Sequence, residues 1–132
     1  LEKCVKLDPK GKYAPYANLK YEKDGVIHDA DPMKLWHLVS MQSGLDYDLN
    51  RPGILRVLKE RGAQATTREL VEAFVESPLK FNPGEHFLYS LSHDVIAAVI
   101  EIVSGMKYSE YLKKNIFKKM QRKKFLHLNS IL

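Results

Sequence analysis

The chain has 132 residues, 45% of them apolar and 28% charged, which suits one domain with a real core and is too short for two comfortable ones. A single cysteine, Cys4, excludes an intrachain disulfide, and the longest apolar run, Val95 to Ile100, stops at Glu101, far short of the roughly 18–20 residues that cross a bilayer. The net charge of +5 is uneven: Lys107 to Lys124 carries eight Lys or Arg against the single acid Glu110, so the rest of the chain is slightly acidic.

The first dozen residues end in a turn cluster around Asp8-Pro9-Lys10-Gly11, and Pro15 keeps Tyr13 to Tyr16 extended. Leu19 to Glu22 and Val26 to His28 flank Lys23-Asp24-Gly25, whose Asp-Gly pair suits a tight turn, so a small β-hairpin is predicted near residues 19–28. Helices are predicted from there on. Asp31 is placed to cap a helix with Pro32 in its first turn. Leu35, Trp36, Leu38, Val39 and Met41 would form its apolar side and Gly44 would close it.

A shorter helix is predicted over Ile54 to Arg61, with Ile54, Leu55 and Leu58 inward and Gly62 as its stop. Thr66-Thr67-Arg68-Glu69 reads as a capping box ahead of the stripe Leu70, Val71, Phe74 and Val75, which Ser77-Pro78 ends. Ser92 or the residue beside it is expected to cap a helix running to about Ser104; that helix is apolar on nearly all sides and therefore expected to be central and buried. Gly105 ends it, and a last helix begins near Tyr108 with Tyr111, Leu112 and Ile116 at helical spacing. The fold class is mainly α with one small hairpin. Residues 1–132 read as a single domain, with 118–132 as a frayed basic tail.

Residues 81–117, FNPGEHFLYSLSHDVIAAVIEIVSGMKYSEYLKKNIF, resemble the signature of the serine β-lactamase and penicillin-binding-protein family, in the branch of class C β-lactamases and related esterases. Asp31 to Leu45 (DPMKLWHLVSMQSGL), Asp46 to Asn50, Thr66 to Glu69 and Pro78 to Gly84 fit the same template in order and spacing. No one of these stretches is specific; their succession is. The resemblance implies the helical lobe of a β-lactamase/transpeptidase-like fold.

It also implies serine acyl transfer without a cofactor, on a β-lactam, a D-Ala-D-Ala-type peptide or an ester. In this family the serine of an S-x-x-K motif attacks the carbonyl, with its lysine one helical turn away. A tyrosine relays the proton. A free phenol has a pKa near ~10, so neighbouring cations must depress it. Tyr89 matches that tyrosine. Leu91 stands where the family's Y-x-N motif has asparagine, a departure that removes a substrate-amide contact.

No nucleophile is placed to use Tyr89. Ser77-Pro78-Leu79-Lys80 and Ser104-Gly105-Met106-Lys107 both spell S-x-x-K, but proline in one and glycine in the other keep serine and lysine off consecutive turns of one helix. Leu1 to Pro9 is similar to the segment that directly follows the nucleophile helix. The chain is therefore expected to be a piece of a larger hydrolase, inactive by itself, with the sheet lobe of the parent as its partner. Surface meant for that sheet would be open to self-association. The family resemblance implies a secreted or cell-envelope parent.

A non-catalytic reading also exists. The cations after Lys107, interleaved with Phe117, Met120 and Phe125, could bind nucleic acid or an anionic membrane. A solvated helix face explains them more simply, so no nucleic acid is expected. The five histidines show no ligand spacing on one helix, and no metal is expected. Glu101 is expected to be a paired carboxylate on the outer side of its helix.

Overall fold

The computed structural model describes residues 18–118. The turn at Asp8 to Gly11, the extended Tyr13 to Tyr16 and the basic stretch beyond Lys118 lie outside them. The chain divides into two units, Leu1–Ile96 and Ala97–Leu132.

In the first unit, β1 (Lys20–Lys23) and β2 (Val26–Asp29) pair antiparallel, Lys20 opposite Asp29 and Lys23 opposite Val26. Asp24 and Gly25 both take positive φ, the left-handed pair that a two-residue hairpin turn demands. Tyr21 also bridges to Leu79 on the other side of β1: Glu22 donates to the Leu79 carbonyl at 2.9 Å and Leu79 to the Lys20 carbonyl at 2.8 Å. Leu79 thereby ties the hairpin to the core and is itself fully buried.

Helix α1 covers Leu35–Val39. It begins later than Asp31-Pro32 predicts, because the Asp31 N–H donates to Asn82 Oδ1 (2.8 Å) while Asn82 Nδ2 donates to the Asp31 carboxylate (2.7 Å). His37 instead closes the helix start, its Nδ1 accepting from the Lys34 N–H at 3.0 Å. Leu38 and Met41 point inward as predicted, whereas Trp36 and Val39 are exposed. Gly44 does not stop this helix, which is already capped at Ser40. Its φ of +80° and the backbone oxygen of Phe81, which a Cβ would strike, make it a point of close chain approach.

Helix α2 (Pro52–Arg61) starts on a proline at N1 and is followed by a 3₁₀ turn, Gly62–Gln64. Its inward positions are Ile54 and Val57; Leu55 and Leu58, expected inside, are exposed. Residues 54 and 57 lie about one turn apart on the buried face, and Leu55 and Leu58 are turned off it toward solvent.

Helix α3 (Thr67–Phe74) carries the predicted capping box, with Glu69 N–H donating to Thr66 Oγ1 at 3.3 Å and the Thr66 N–H to Glu69 Oε2 at 2.8 Å. Val71, Ala73 and Phe74 are buried.

Helix α4 runs over Ser92–Ser104, the bounds that the sequence predicts. Val95, Ala97 and Ala98 are buried. The second half departs from the expectation of full burial: Val99, Ile100 and Ile102 are half-buried and Val103 is 54% exposed. In the second unit, α5 (Tyr108–Leu112) continues into a π-helical turn, Lys113–Phe117. Glu101 is paired as expected: its Oε1 accepts from the Tyr108 N–H at 2.9 Å and so joins the end of α4 to the start of α5. The architecture is mainly α with one two-stranded hairpin, the predicted class.

Candidate active site

Tyr89 lies in the extended segment that leads into α4, and the backbone holds this segment on both sides of it. The Leu88 N–H donates to the Met41 carbonyl at 2.9 Å, and the Leu91 N–H to the Asp46 carbonyl at 3.3 Å. The next polar side chains point inward. Ser92 Oγ lies 2.7 Å from both Ser43 Oγ and Ser90 Oγ, and Ser90 Oγ reaches Met41 Sδ at 3.7 Å. All three serines are buried, and Ser43 Oγ also accepts from the Leu45 N–H at 3.2 Å.

Ser90, Leu91 and Ser92 are all buried, whereas Tyr89 faces out. It is 65% exposed. Its ring meets that of Tyr47, also exposed, at 5.6 Å between centroids and 31° between planes.

Tyr47 sits on a loop braced by its neighbours. The Asp48 N–H donates to Asp46 Oδ1 at 3.1 Å and the Asn50 N–H to Asp48 Oδ1 at 2.9 Å, two successive Asx turns. Asp46 takes a two-pronged grip from Arg51: Nε to Oδ1 at 3.0 Å and Nη2 to Oδ2 at 2.7 Å. The third guanidinium nitrogen, Nη1, donates to the Phe74 carbonyl at 3.2 Å, at the end of α3. Lys80 Nζ approaches the same carboxylate at 3.5 Å.

Burial pushes the Asp46 carboxyl up. The bonds from Arg51 and the Asp48 N–H, with the charges of Arg51 and Lys80, outweigh it and hold the group below its ordinary value. The Arg51 guanidinium is buried, and each of its three nitrogens donates to an oxygen.

Leu91, the position of the family's asparagine, is only 7% exposed. Its side chain belongs to the core and its N–H is spent on Asp46.

The two S-x-x-K matches are not helical pairs. Ser77 and Lys80 lie in the connection after α3, with Leu79 between them in its bridge to β1. Ser104 is the last residue of α4, where its Oγ accepts from the Met106 N–H at 3.2 Å, and Lys107 caps α5. Of the four described histidines, His28 stacks on Tyr21, His86 meets the edge of Phe81, His37 is buried and His93 is exposed on α4. Burial first, then the charge of Lys34, lowers the pKa of His37 against the opposing pull of Asp31. Among the described residues no three His, Cys, Asp or Glu gather as a metal site.

The sequence draws attention to Tyr89 alone. It gives no hint that Ser43, 49 residues away from Ser92, would anchor the segment, or that Arg51 would lock the loop of Tyr47. The only written signal is the run Asp46-Tyr47-Asp48-Leu49-Asn50-Arg51-Pro52, dense in turn formers with one cation before a proline.

Comparison with known proteins places the chain among relatives. The family model described as Beta-lactamase matches residues 6–127. The human serine beta-lactamase-like protein LACTB, mitochondrial, is 43% identical over 47 residues, 35% of this chain and 9% of that protein. Lovastatin esterase of Penicillium rubens is 29% identical over 113 residues, 79% of this chain and 28% of the esterase. Among solved structures, EstCE1, a hydrolase with promiscuous acyltransferase activity, superposes with a TM-score of 0.58 at 26% identity, over 86% of this chain and 30% of its own. The chain spans less than a third of the length of each of these relatives. With a family match over nearly its whole length, the chain belongs to the Beta-lactamase family.

Proposed function

We propose that this chain supplies the tyrosine wall of the active site of a serine acyl hydrolase. Its nucleophilic Ser-x-x-Lys helix and substrate-binding sheet strand lie on sequence outside the 132 residues. The substrate is an ester, a β-lactam or a D-Ala-D-Ala-type peptide. Tyr89 is the proton shuttle. Its phenolate takes the proton from the serine hydroxyl as the oxygen bonds to the scissile carbonyl carbon. Its phenol then returns that proton to the leaving oxygen or nitrogen as the tetrahedral intermediate collapses to the acyl-enzyme. A water repeats the cycle to release the acid.

One observation carries the reading. Tyr89 is the outward residue of a segment otherwise tied inward by Ser90, Leu91 and Ser92, so its hydroxyl is presented at a surface where another part of a hydrolase can meet it. The chain alone is then inactive, since Ser77 and Ser104 are not aligned with their lysines.

The test is Tyr89→Phe in the full-length hydrolase that carries this chain, with p-nitrophenyl acetate as substrate. Loss of a general acid–base group lowers kcat by about 10²–10⁴-fold. The melting temperature should not move, because the lost hydroxyl is on an exposed ring. An unchanged kcat refutes the role.

A further inference from the structure

The structure points to Tyr47 as a specificity-determining residue of the same site, one that selects esters of acids with an apolar, flat or alkyl acyl group. We infer this on the reading of Tyr89 as the proton shuttle, and it narrows that reading to one substrate class.

Tyr47 is 56% exposed, and its ring is offset against that of Tyr89. Two tyrosines side by side leave a broad apolar surface facing water, while their hydroxyls remain free to be solvated. Such a surface is usually covered by something in a working protein. The loop that presents it is stiff. Asp46 accepts from Leu91 through its carbonyl and grips buried Arg51 through its carboxylate, so one residue registers Tyr47 against the segment of Tyr89. Two Asx turns fix the residues that follow. A rigid aromatic surface loses little conformational freedom when a ligand lies on it.

Apart from the two tyrosine hydroxyls, the side chains beside Tyr89 offer no partner that would recognise an amide. Leu91 turns its side chain into the core and gives its N–H to Asp46. Ser90 and Ser92 spend their hydroxyls on each other and on Ser43. A peptide or β-lactam side-chain amide laid here would leave its water-bonded groups unmatched, which disfavours it; an apolar acyl group loses nothing. The exposed Leu49, two residues on, extends the same apolar character.

The experiment compares kcat/KM for p-nitrophenyl phenylacetate and p-nitrophenyl acetate in the full-length hydrolase, with the leaving group held constant. Tyr47→Ala should lower the phenylacetate-to-acetate ratio by about three- to tenfold, the range expected when one aromatic contact is lost. Tyr47→Phe should keep the ratio, because the ring rather than the hydroxyl makes the surface. The ratio is internal to each sample, so a partly unfolded variant still reports it. Tyr47→Leu, which keeps apolar bulk without the ring face, should fall between the two.

An unchanged ratio in Tyr47→Ala overturns the inference, whether or not the absolute rates fall. Tyr89→Phe separates the two readings: it should slow both esters equally and leave the ratio intact. Full activity in Tyr89→Phe would remove the shuttle role and leave the Tyr47 selectivity to stand or fall by its own ratio.

Discussion

Arg51→Met removes the guanidinium that joins the loop of Tyr47 to the end of α3. Methionine keeps most of the apolar stem but offers no donor. The loss comprises two charge-assisted bonds to Asp46 and one bond to the Phe74 carbonyl. The Asp46 carboxylate, with 15% of its side chain exposed, would then retain only Lys80 at 3.5 Å and the Asp48 N–H. Breaking a buried pair from one side costs about 3–5 kcal/mol, chiefly because a charge is left behind without its partner. That is a large part of the roughly 5–15 kcal/mol by which domains are stable.

Urea unfolding followed by circular dichroism measures it. The pH dependence supplies the diagnostic. Asp46 has a folded pKa below its unfolded value, so its stabilisation is complete above the unfolded value near ~4 and is lost as pH falls through the folded one. Wild type and Arg51→Met should therefore converge in acid. The double variant Asp46→Asn/Arg51→Met should recover much of the loss at pH 7, because no stranded charge remains. A cost under about 0.5 kcal/mol at pH 7, the level of an ordinary surface substitution, or a gap that persists undiminished at low pH, would refute the assignment of this pair as a buried brace.

Other consequences follow from the same coordinates. Ser92→Ala leaves Ser43 and Ser90 each without a hydroxyl partner in the core and should lower stability by about 1–3 kcal/mol in the same urea assay. Thr66→Ala removes the N-cap of α3 and should lower Tm by roughly 4–8 °C, measurable by calorimetry. His37, with its pKa lowered by burial, is held neutral when folded; stability should be full above its unfolded value near ~6.5 and fall as pH drops below it toward the folded one. Thermal melts between pH 7.5 and 5 should show that decline, and His37→Gln should flatten it.

Much of the fold could be read from local chemistry. Asp24-Gly25 announced the hairpin, Thr66 and Glu69 the start of α3, and Ser92 and Gly105 the bounds of α4, because each signal acts within a few residues of itself. The start of α1 was misread for the opposite reason. Asp31 had a suitable side chain for a cap, but Asn82, 51 residues on, claims both its N–H and its carboxylate. Leu55 and Leu58 lie outside because α2 turns Ile54 and Val57 to the core, a choice of face made by tertiary packing that the apolar run Ile54, Leu55, Val57 and Leu58 does not itself decide.

The site divides in the same way. Tyr89 is singled out as a candidate by its flanking text. Its outward orientation is not legible there, since that depends on Ser43, Met41 and Asp46, all more than 40 positions distant in sequence. The burial of Leu91 explains why a leucine is tolerated at a position that the family gives to asparagine: the side chain serves packing.

The most direct measurement is the site of covalent labelling in the full-length hydrolase, treated with a serine-directed fluorophosphonate, digested and mapped by mass spectrometry. The account predicts one labelled serine on sequence outside these 132 residues, with labelling slowed on the order of 10²-fold by Tyr89→Phe. A label on Ser77 or Ser104, or labelling indifferent to Tyr89→Phe, would contradict it.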